Sequence, residues 1–384
     1  MKTNKLKFGT KAVHAGIEPD TATGSIMTPI YQTSTYVQDG IGDHKGYAYS
    51  RTHNPTRTPL QNALASLENG KHGLTFGSGL AAIDAVLKTL HPGDEVIAVN
   101  DLYGGTYRIF KTVFEKFGIK FLFADMRTMD QLDSLISDKT KLIWVETPTN
   151  PTLQVVDIAE VAKRTTGTDI LLGVDNTFAT PCLQNPLDLG ADIVMHSVTK
   201  YLGGHSDVVM GALVVKDDDL AKELYALQNS CGAINGPFDH FLVLRGLKTL
   251  HLRMRQHCAN GKAIVAFLSN HPKVEHINYP GLPSHPNHEV AKRQMRDFGG
   301  MISFTLKGNK LEDAQAVVKR VNVFTLAESL GGVESLIGHP ATMTHASIPK
   351  EEREKSGVVD SLIRLSVGVE DAEDLINDLE QALA

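Results

Sequence analysis

From about residue 55 to 245 the chain alternates short apolar runs with longer amphipathic stretches, and this alternation limits the folds open to it. Strands are expected at Glu95–Val99, Lys120–Ala124 and Lys141–Glu146. Helices are expected at Leu60–Asn69, Ala81–Leu90, Thr106–Phe117, Met129–Ser137 and Ile158–Thr165. Strands that take turns with helices pair in parallel through crossovers, which place helices on both faces of the sheet. The run Asp169–Asn176 is almost wholly apolar before its final Asp-Asn, as a strand buried on both faces should be. A helical stretch around Phe238–Ser269, a strand Met301–Leu306 and helices Asp313–Val321 and Ala372–Ala384 outline a smaller α/β unit. The expected division is an extended arm over 1–54, a large unit over 55–245 and a C-terminal unit over 246–384.

Composition narrows the partners. A formal charge of −6 without a basic stripe does not suit nucleic acid. The polar start Met-Lys-Thr-Asn-Lys-Leu-Lys-Phe is not a secretory signal, and no apolar run reaches membrane-spanning length. The three cysteines, Cys182, Cys231 and Cys258, are widely spaced, which fits a reducing cytoplasm and neither a disulfide framework nor a zinc site. His285 and His288 lie three apart in a proline-rich loop, where solvated side chains are the expectation and a metal is not.

Lys200 is the residue that asks for chemistry. It follows the short strand Ile193–Met195 in the run His-Ser-Val-Thr-Lys-Tyr-Leu-Gly-Gly, flanked by Ser197, Thr199 and two glycines. Lysine is seldom buried, so one directly after a core strand is either a solvated turn residue or a functional amine. Pyridoxal phosphate needs a lysine to form an imine with its aldehyde, and hydroxyls and N–H groups to hold its phosphate. Asp175, at the carboxyl end of the 169–176 run, stands where open α/β sheets bind ligands. It suits a protonated ring nitrogen, although an aspartate there can simply cap a turn. Gly79 and Leu80, in Gly-Ser-Gly-Leu-Ala-Ala, open an apolar helix whose free N–H groups would take an anion. A plain helix entry has the same look. Tyr103, between Leu102 and Gly104, offers a face to stack on a ring and a hydroxyl for proton transfer, or merely begins a helix.

Ordered motifs then run nearly the whole chain: Tyr-Ser-Arg-x-x-Asn-Pro-Thr (49–56), Gly-Ser-Gly-Leu-Ala-Ala (77–82), Leu-Tyr-Gly-Gly-Thr (102–106) and Glu-Thr-Pro-Thr-Asn-Pro (146–151). They continue with Val-Asp-Asn-Thr-Phe (174–178), Ser-Val-Thr-Lys-Tyr-Leu-Gly-Gly-His (197–205), Pro-Gly-Leu-Pro-Ser-His-Pro (280–286), Ala-Glu-Ser-Leu-Gly-Gly-Val-Glu-Ser-Leu (327–336) and Arg-Leu-Ser-Val-Gly-Val-Glu (364–370). In these motifs the chain resembles the Cys/Met-metabolism PLP-dependent enzymes, the cystathionine γ-lyase and γ-synthase family. The resemblance implies the aspartate-aminotransferase-like fold (fold type I), with a mostly parallel central sheet, a PLP-binding domain over 55–245 and a smaller C-terminal domain.

It also implies roles. Lys200 and Tyr103 would be catalytic; Gly79, Leu80, Tyr103, Asp175, Thr177, Ser197 and Thr199 would hold the cofactor. Tyr49 and Arg51 match the pair that reaches the cofactor phosphate of a neighbouring subunit. That implies at least a dimer, and the family is usually a homotetramer, a dimer of dimers with shared sites. Arg364 resembles the arginine that grips the substrate α-carboxylate, for which a planar guanidinium fork is suited. Asn150 and Ser329 match positions beside it. Glu328 resembles an acidic residue that faces the distal amino group of cystathionine, and Arg108 a basic residue at the site mouth.

The reaction expected is γ-elimination of L-cystathionine to cysteine, 2-oxobutanoate and ammonia. Homocysteine or cysteine desulfhydration, with release of hydrogen sulfide, is left open by Ala48, where many relatives carry an acidic residue. Gly105, where methionine γ-lyases usually carry cysteine, argues against methionine. The alternative is cystathionine γ-synthase, joining cysteine to O-succinyl- or O-acetylhomoserine. A non-catalytic PLP-binding regulator is the alternative of another class; retention of Lys200, Tyr103 and Arg364 opposes it.

Overall fold

The computed structural model of the protein describes residues 6–346 and 350–384. Seven strands build the larger sheet: β1 (His72–Phe76), β2 (Glu95–Val99), β3 (Lys120–Ala124), β4 (Thr140–Glu146), β5 (Leu171–Asp175), β6 (Ile193–Ser197) and β7 (Gly211–Val215). Their spatial order is β1-β7-β6-β5-β4-β2-β3. The five strands from β6 to β3 are parallel, and only β7 runs against its neighbours. β2 and β7 are buried at every position and β4 at all but one, as strands covered by helices on both faces must be. At the centre Trp144 packs so closely that a side chain on Gly173 would come within 2.8 Å of its ring.

Val99, Glu146, Asp175 and Ser197 end four parallel strands on one edge of this sheet. Phe76 pairs with Gly211 and Ser197 pairs with the same glycine, so β1 empties onto that edge too. The winding reverses between β2 and β4, which leaves a crevice at the carboxyl ends of the strands. The loops and helix starts beyond these strand ends supply most of the residues around the crevice.

The second sheet has the order β8-β9-β12-β11-β10, from β8 (Val274–Asn278), β9 (Met301–Leu306), β10 (Thr325–Leu326), β11 (Leu336–Gly338) and β12 (Leu362–Ser366). Helices Leu311–Arg320 and Ala372–Leu383 pack on it around Phe304, Ile363 and Leu365. Arg364 lies in the middle strand, opposite Ser303 of β9 and Gly338 of β11.

The structure differs from the sequence expectation in three places, and the first has a clear physical cause. The helical stretch 238–269 is two helices, Pro237–Leu247 and Leu250–Ser269. Gly246 sits against the backbone of Gly203, and Arg253 turns back to donate to the carbonyls of Gly246 (2.9 Å) and Tyr201 (2.6 Å), closing the break. The stretch 106–117 is a helix over Gly104–Thr112 followed by a 3-10 turn. Within residues 1–54, Phe8–His14 is helical, and its Ala12 and the following Ala15 are buried against the body of the chain. The hairpin Gln38–Gly40/Asp43–His44, by contrast, is exposed throughout.

Candidate active site

One cavity of about 380 Å³ opens at the carboxyl edge of the large sheet. Its wall brings together Gly79, Leu80, Tyr103, Asn150, Asp175, Thr177, Ser197, Thr199, Lys200, Glu328, Ser329 and Arg364. Tyr49, Arg51 and Arg108 do not line it. Arg51 instead lies over the ring of Tyr49, 5.6 Å from its centroid, and Arg108 is exposed on the helix after Tyr103.

The floor is Asp175. Burial raises its carboxyl above the usual range, and the Thr177 hydroxyl and N–H, together with His196, work against that rise. The Thr177 amide donates to Oδ1 at 3.0 Å, while Oδ2 receives no bond from the described residues. A buried carboxylate with one oxygen bonded and the other open to a cavity needs a cationic or N–H partner.

The helix Gly79–Leu87 starts beside it. The Ser78 hydroxyl accepts from the Ala81 amide, so the amides of Gly79 and Leu80 are the unpaired donors of the first turn. A side chain at Gly79 would meet Met195 Cε at 2.9 Å and Ser197 Cβ at 3.1 Å, which is why this turn can lie flat on β6. Ser197 adds a hydroxyl. The Thr199 hydroxyl is engaged with the backbone of Met210, donating to its carbonyl at 3.2 Å and accepting from its amide at 3.0 Å.

Lys200 projects from the turn after β6, and its Nζ donates to Ser329 Oγ at 2.6 Å. Burial pushes its ammonium down to about 8; the Arg364 charge adds to this and Glu328 opposes it. Ser329 has a left-handed backbone, φ 90°, a strained conformation for serine of the kind held at functional sites. Its carbonyl accepts from Arg364 Nη2 at 2.9 Å, and Asn150 Oδ1 accepts from Nη1 at 2.9 Å. Arg364 is buried and has no carboxylate partner among the described residues. Burial brings its guanidinium down to about 10. A buried guanidinium bonded only to neutral oxygens is a ready seat for a carboxylate.

These features fit pyridoxal phosphate. Lys200 would carry its aldehyde carbon, Asp175 its ring nitrogen, and the helix start with Ser197 its phosphate; Tyr103, 41 % exposed over the opening, would cover the ring. The model of the Cys/Met metabolism PLP-dependent enzymes matches residues 9–384. The chain belongs to that family. It is a PLP-dependent enzyme of Cys/Met metabolism, with the fold-type-I architecture expected from its motifs. It is 53 % identical over 381 residues to the cystathionine β-lyase of Coxiella burnetii, covering 99 % of this chain and 98 % of that one. It is equally 53 % identical over 381 residues to the cystathionine γ-lyase of Dictyostelium discoideum, with the same coverage. The crystal structure of cystathionine γ-synthase from Xanthomonas oryzae pv. oryzae, in complex with aminoacrylate and cysteine, superposes with a TM-score of 0.95 at 45 % identity, covering 98 % of both chains.

The cavity also holds residues that sequence reasoning did not single out: Ser78, Glu146, Phe178 and Thr344. For Glu146 a signal existed, because it ends a buried strand with a carboxylate just as Asp175 does. Thr344 comes from the loop after β11, and no local pattern marks it. His285 and His288 bond separate backbone carbonyls, Leu153 at 3.0 Å and Pro280 at 2.8 Å. Among the described residues no helix is long and apolar enough to cross a membrane.

Proposed function

We propose that the protein cleaves L-cystathionine by γ-elimination, giving cysteine, 2-oxobutanoate and ammonia. The observation that carries this reading is the sequence of groups along one wall: Arg364, Ser329, Lys200 and, at the rim, Glu328. Pyridoxal phosphate bound here supplies the electron sink that stabilises negative charge at carbons next to the substrate amino group. Arg364, fixed by Asn150 and the Ser329 carbonyl, binds the α-carboxylate and sets which carbon faces Lys200. The lowered basicity of Lys200 places its neutral amine within reach at neutral pH, so it can take a proton from the α-carbon and return one nearby. The Tyr103 hydroxyl serves the proton of the departing sulfur. Glu328 meets the distal ammonium of cystathionine, a charge that homocysteine and cysteine lack. Homocysteine and cysteine are then slower substrates that release hydrogen sulfide.

Tyr49 and Arg51 are assigned to the site of a neighbouring subunit in a homotetramer. Neither lines the cavity of its own chain, which supports this, as do the apolar side chains of Val37 and Ile41, beside and within the exposed hairpin and themselves exposed. The second reading is γ-replacement, which uses the same residues, and the equally similar relative named as a β-lyase adds a third, β-elimination. The products separate them. The purified enzyme is given cystathionine, and 2-oxobutanoate and pyruvate are measured; it is then given O-succinyl- or O-acetylhomoserine plus cysteine, and cystathionine is measured. Fastest release of 2-oxobutanoate is expected, with Glu328→Ala losing more activity on cystathionine than on homocysteine. Faster pyruvate release or faster synthesis would replace the proposal by the corresponding alternative.

A further inference from the structure

Glu146 is buried at the end of β4, in register with Asp175 on β5, and both line the cavity. Each of its oxygens accepts one backbone amide: Oε2 from Tyr103 and Oε1 from Asn150, both at 2.8 Å. These amides belong to the two loops that leave the sheet edge after β2 and β4. A second carboxylate ties the loops in the opposite sense, since Asp101 of the first loop accepts from the hydroxyls of Thr149 (2.5 Å) and Thr152 of the second. Asn150 in turn holds Arg364 through Oδ1. One carboxylate is therefore one bond from the residue that covers the cofactor ring and two bonds from the residue that seats the substrate carboxylate.

We infer that Glu146 is a positioning residue, which sets Tyr103 and, through Asn150, Arg364 in the geometry that binds and orients the α-carboxylate of the amino-acid substrate. The inference rests on Arg364 having the role proposed for it in the reaction. A carboxylate is suited because it accepts on both oxygens; an amide of the same size accepts on one and must turn a donor toward a donor. Burial together with the neighbouring Asp175 and Asp101 drives the Glu146 carboxyl well above its ordinary range. Keeping an acidic residue in such surroundings is costly, and the two amide bonds are what offset the cost.

The test uses the holoenzyme and a simple amino acid. L-Alanine and ethylamine, which lacks the carboxylate, are titrated against wild type, Glu146→Gln, Asn150→Ala and the double variant, following the visible absorption of the bound cofactor. Glu146→Gln should weaken L-alanine by about tenfold, the loss expected when one buried amide is left without its acceptor, and ethylamine by less than about threefold. The penalties of Glu146→Gln and Asn150→Ala should not add, because both act through Arg364. Equal losses for alanine and ethylamine, fully additive penalties, or wild-type alanine binding by Glu146→Gln would overturn the inference. If Glu146→Gln does not retain cofactor, Glu146→Asp, which withdraws both acceptors by one methylene, is titrated against the same expectations. Alanine binding is independent of which bond is cleaved. A wild type that binds alanine but releases no 2-oxobutanoate from cystathionine therefore refutes the proposed reaction and leaves this test standing.

Discussion

Gly211 does not line the cavity, yet replacing it with alanine should weaken the enzyme's hold on its cofactor. It opens β7, between Phe76 of β1 and Ser197 of β6. A methyl group there would lie 2.1 Å from the Ser78 carbonyl oxygen and 2.8 Å from the Gly79 nitrogen, both backbone atoms that no rotamer change can move. Restoring ordinary contact displaces the Ser78–Gly79 turn by about an ångström, more than an N–H···O bond tolerates. Of the two amides offered to the phosphate, losing one charge-assisted bond costs about 1.5–3 kcal/mol, or roughly 10- to 150-fold in affinity. Titrating apo-protein with pyridoxal phosphate measures this directly, and a melting curve measures the accompanying strain of about 1–3 kcal/mol. Cofactor affinity within threefold of wild type would refute the reasoning. That holds even with a lowered melting temperature, because it would mean that the strand moved and not the phosphate turn.

Further outcomes follow from the same geometry. Lys200→Ala should lose the yellow colour and nearly all turnover while melting as a folded protein, and wild-type-like activity would remove Lys200 as the attachment residue. Mixed oligomers of Lys200→Ala and Arg51→Ala chains should recover part of the activity, since one kind of hybrid site is intact; verified hybrids without recovery would assign each arm to its own subunit. His240 is buried between the Thr75 hydroxyl and the Gly236 carbonyl, and burial lowers its imidazole from 6.5 to about 4. As pH falls through 6.5 the unfolded chain takes up a proton that the folded one refuses until about 4, so stability is lost over that window, by about 2 kcal/mol at pH 5. His240→Gln should therefore melt with a shallower pH dependence than wild type between pH 7 and 5, and parallel curves would show that His240 is not the proton-linked group.

The features legible in the sequence are those that local physics decides. Buried parallel strands are long apolar runs, so the ends at Glu146 and Asp175 were visible, and with them the edge where a ligand belongs. Lys200 was visible because an amine among small hydroxyls after a core strand is chemically unusual. The break between Leu247 and Leu250 was not, since it depends on Gly246 meeting Gly203 and on Arg253 reaching back, contacts that no helical periodicity records. The strained turn of Ser329 was hidden for the same reason: it is held by Lys200 and Arg364, 129 and 35 positions away.

The limit on specificity has the same origin. The groups assigned to the part of the chemistry that these reactions would share, the Lys200 amine, the Asp175 carboxylate and the Arg364 guanidinium, stand at the end of a sheet strand or are tied together through Ser329. The group assigned to the far end of the substrate, Glu328, stands on the rim with the adjoining Ser329 as its tie to that network. If Glu328 has the role proposed for it, substitutions around it should change what is expelled without disturbing how the α-carboxylate is bound. A relative named as a β-lyase and one named as a γ-lyase are each 53 % identical to this chain, as expected if the choice of product turns on few positions. The choice among these reactions should accordingly respond to changes at the rim, and a variant there that switches the product from 2-oxobutanoate to pyruvate without altering L-alanine binding would be the direct demonstration.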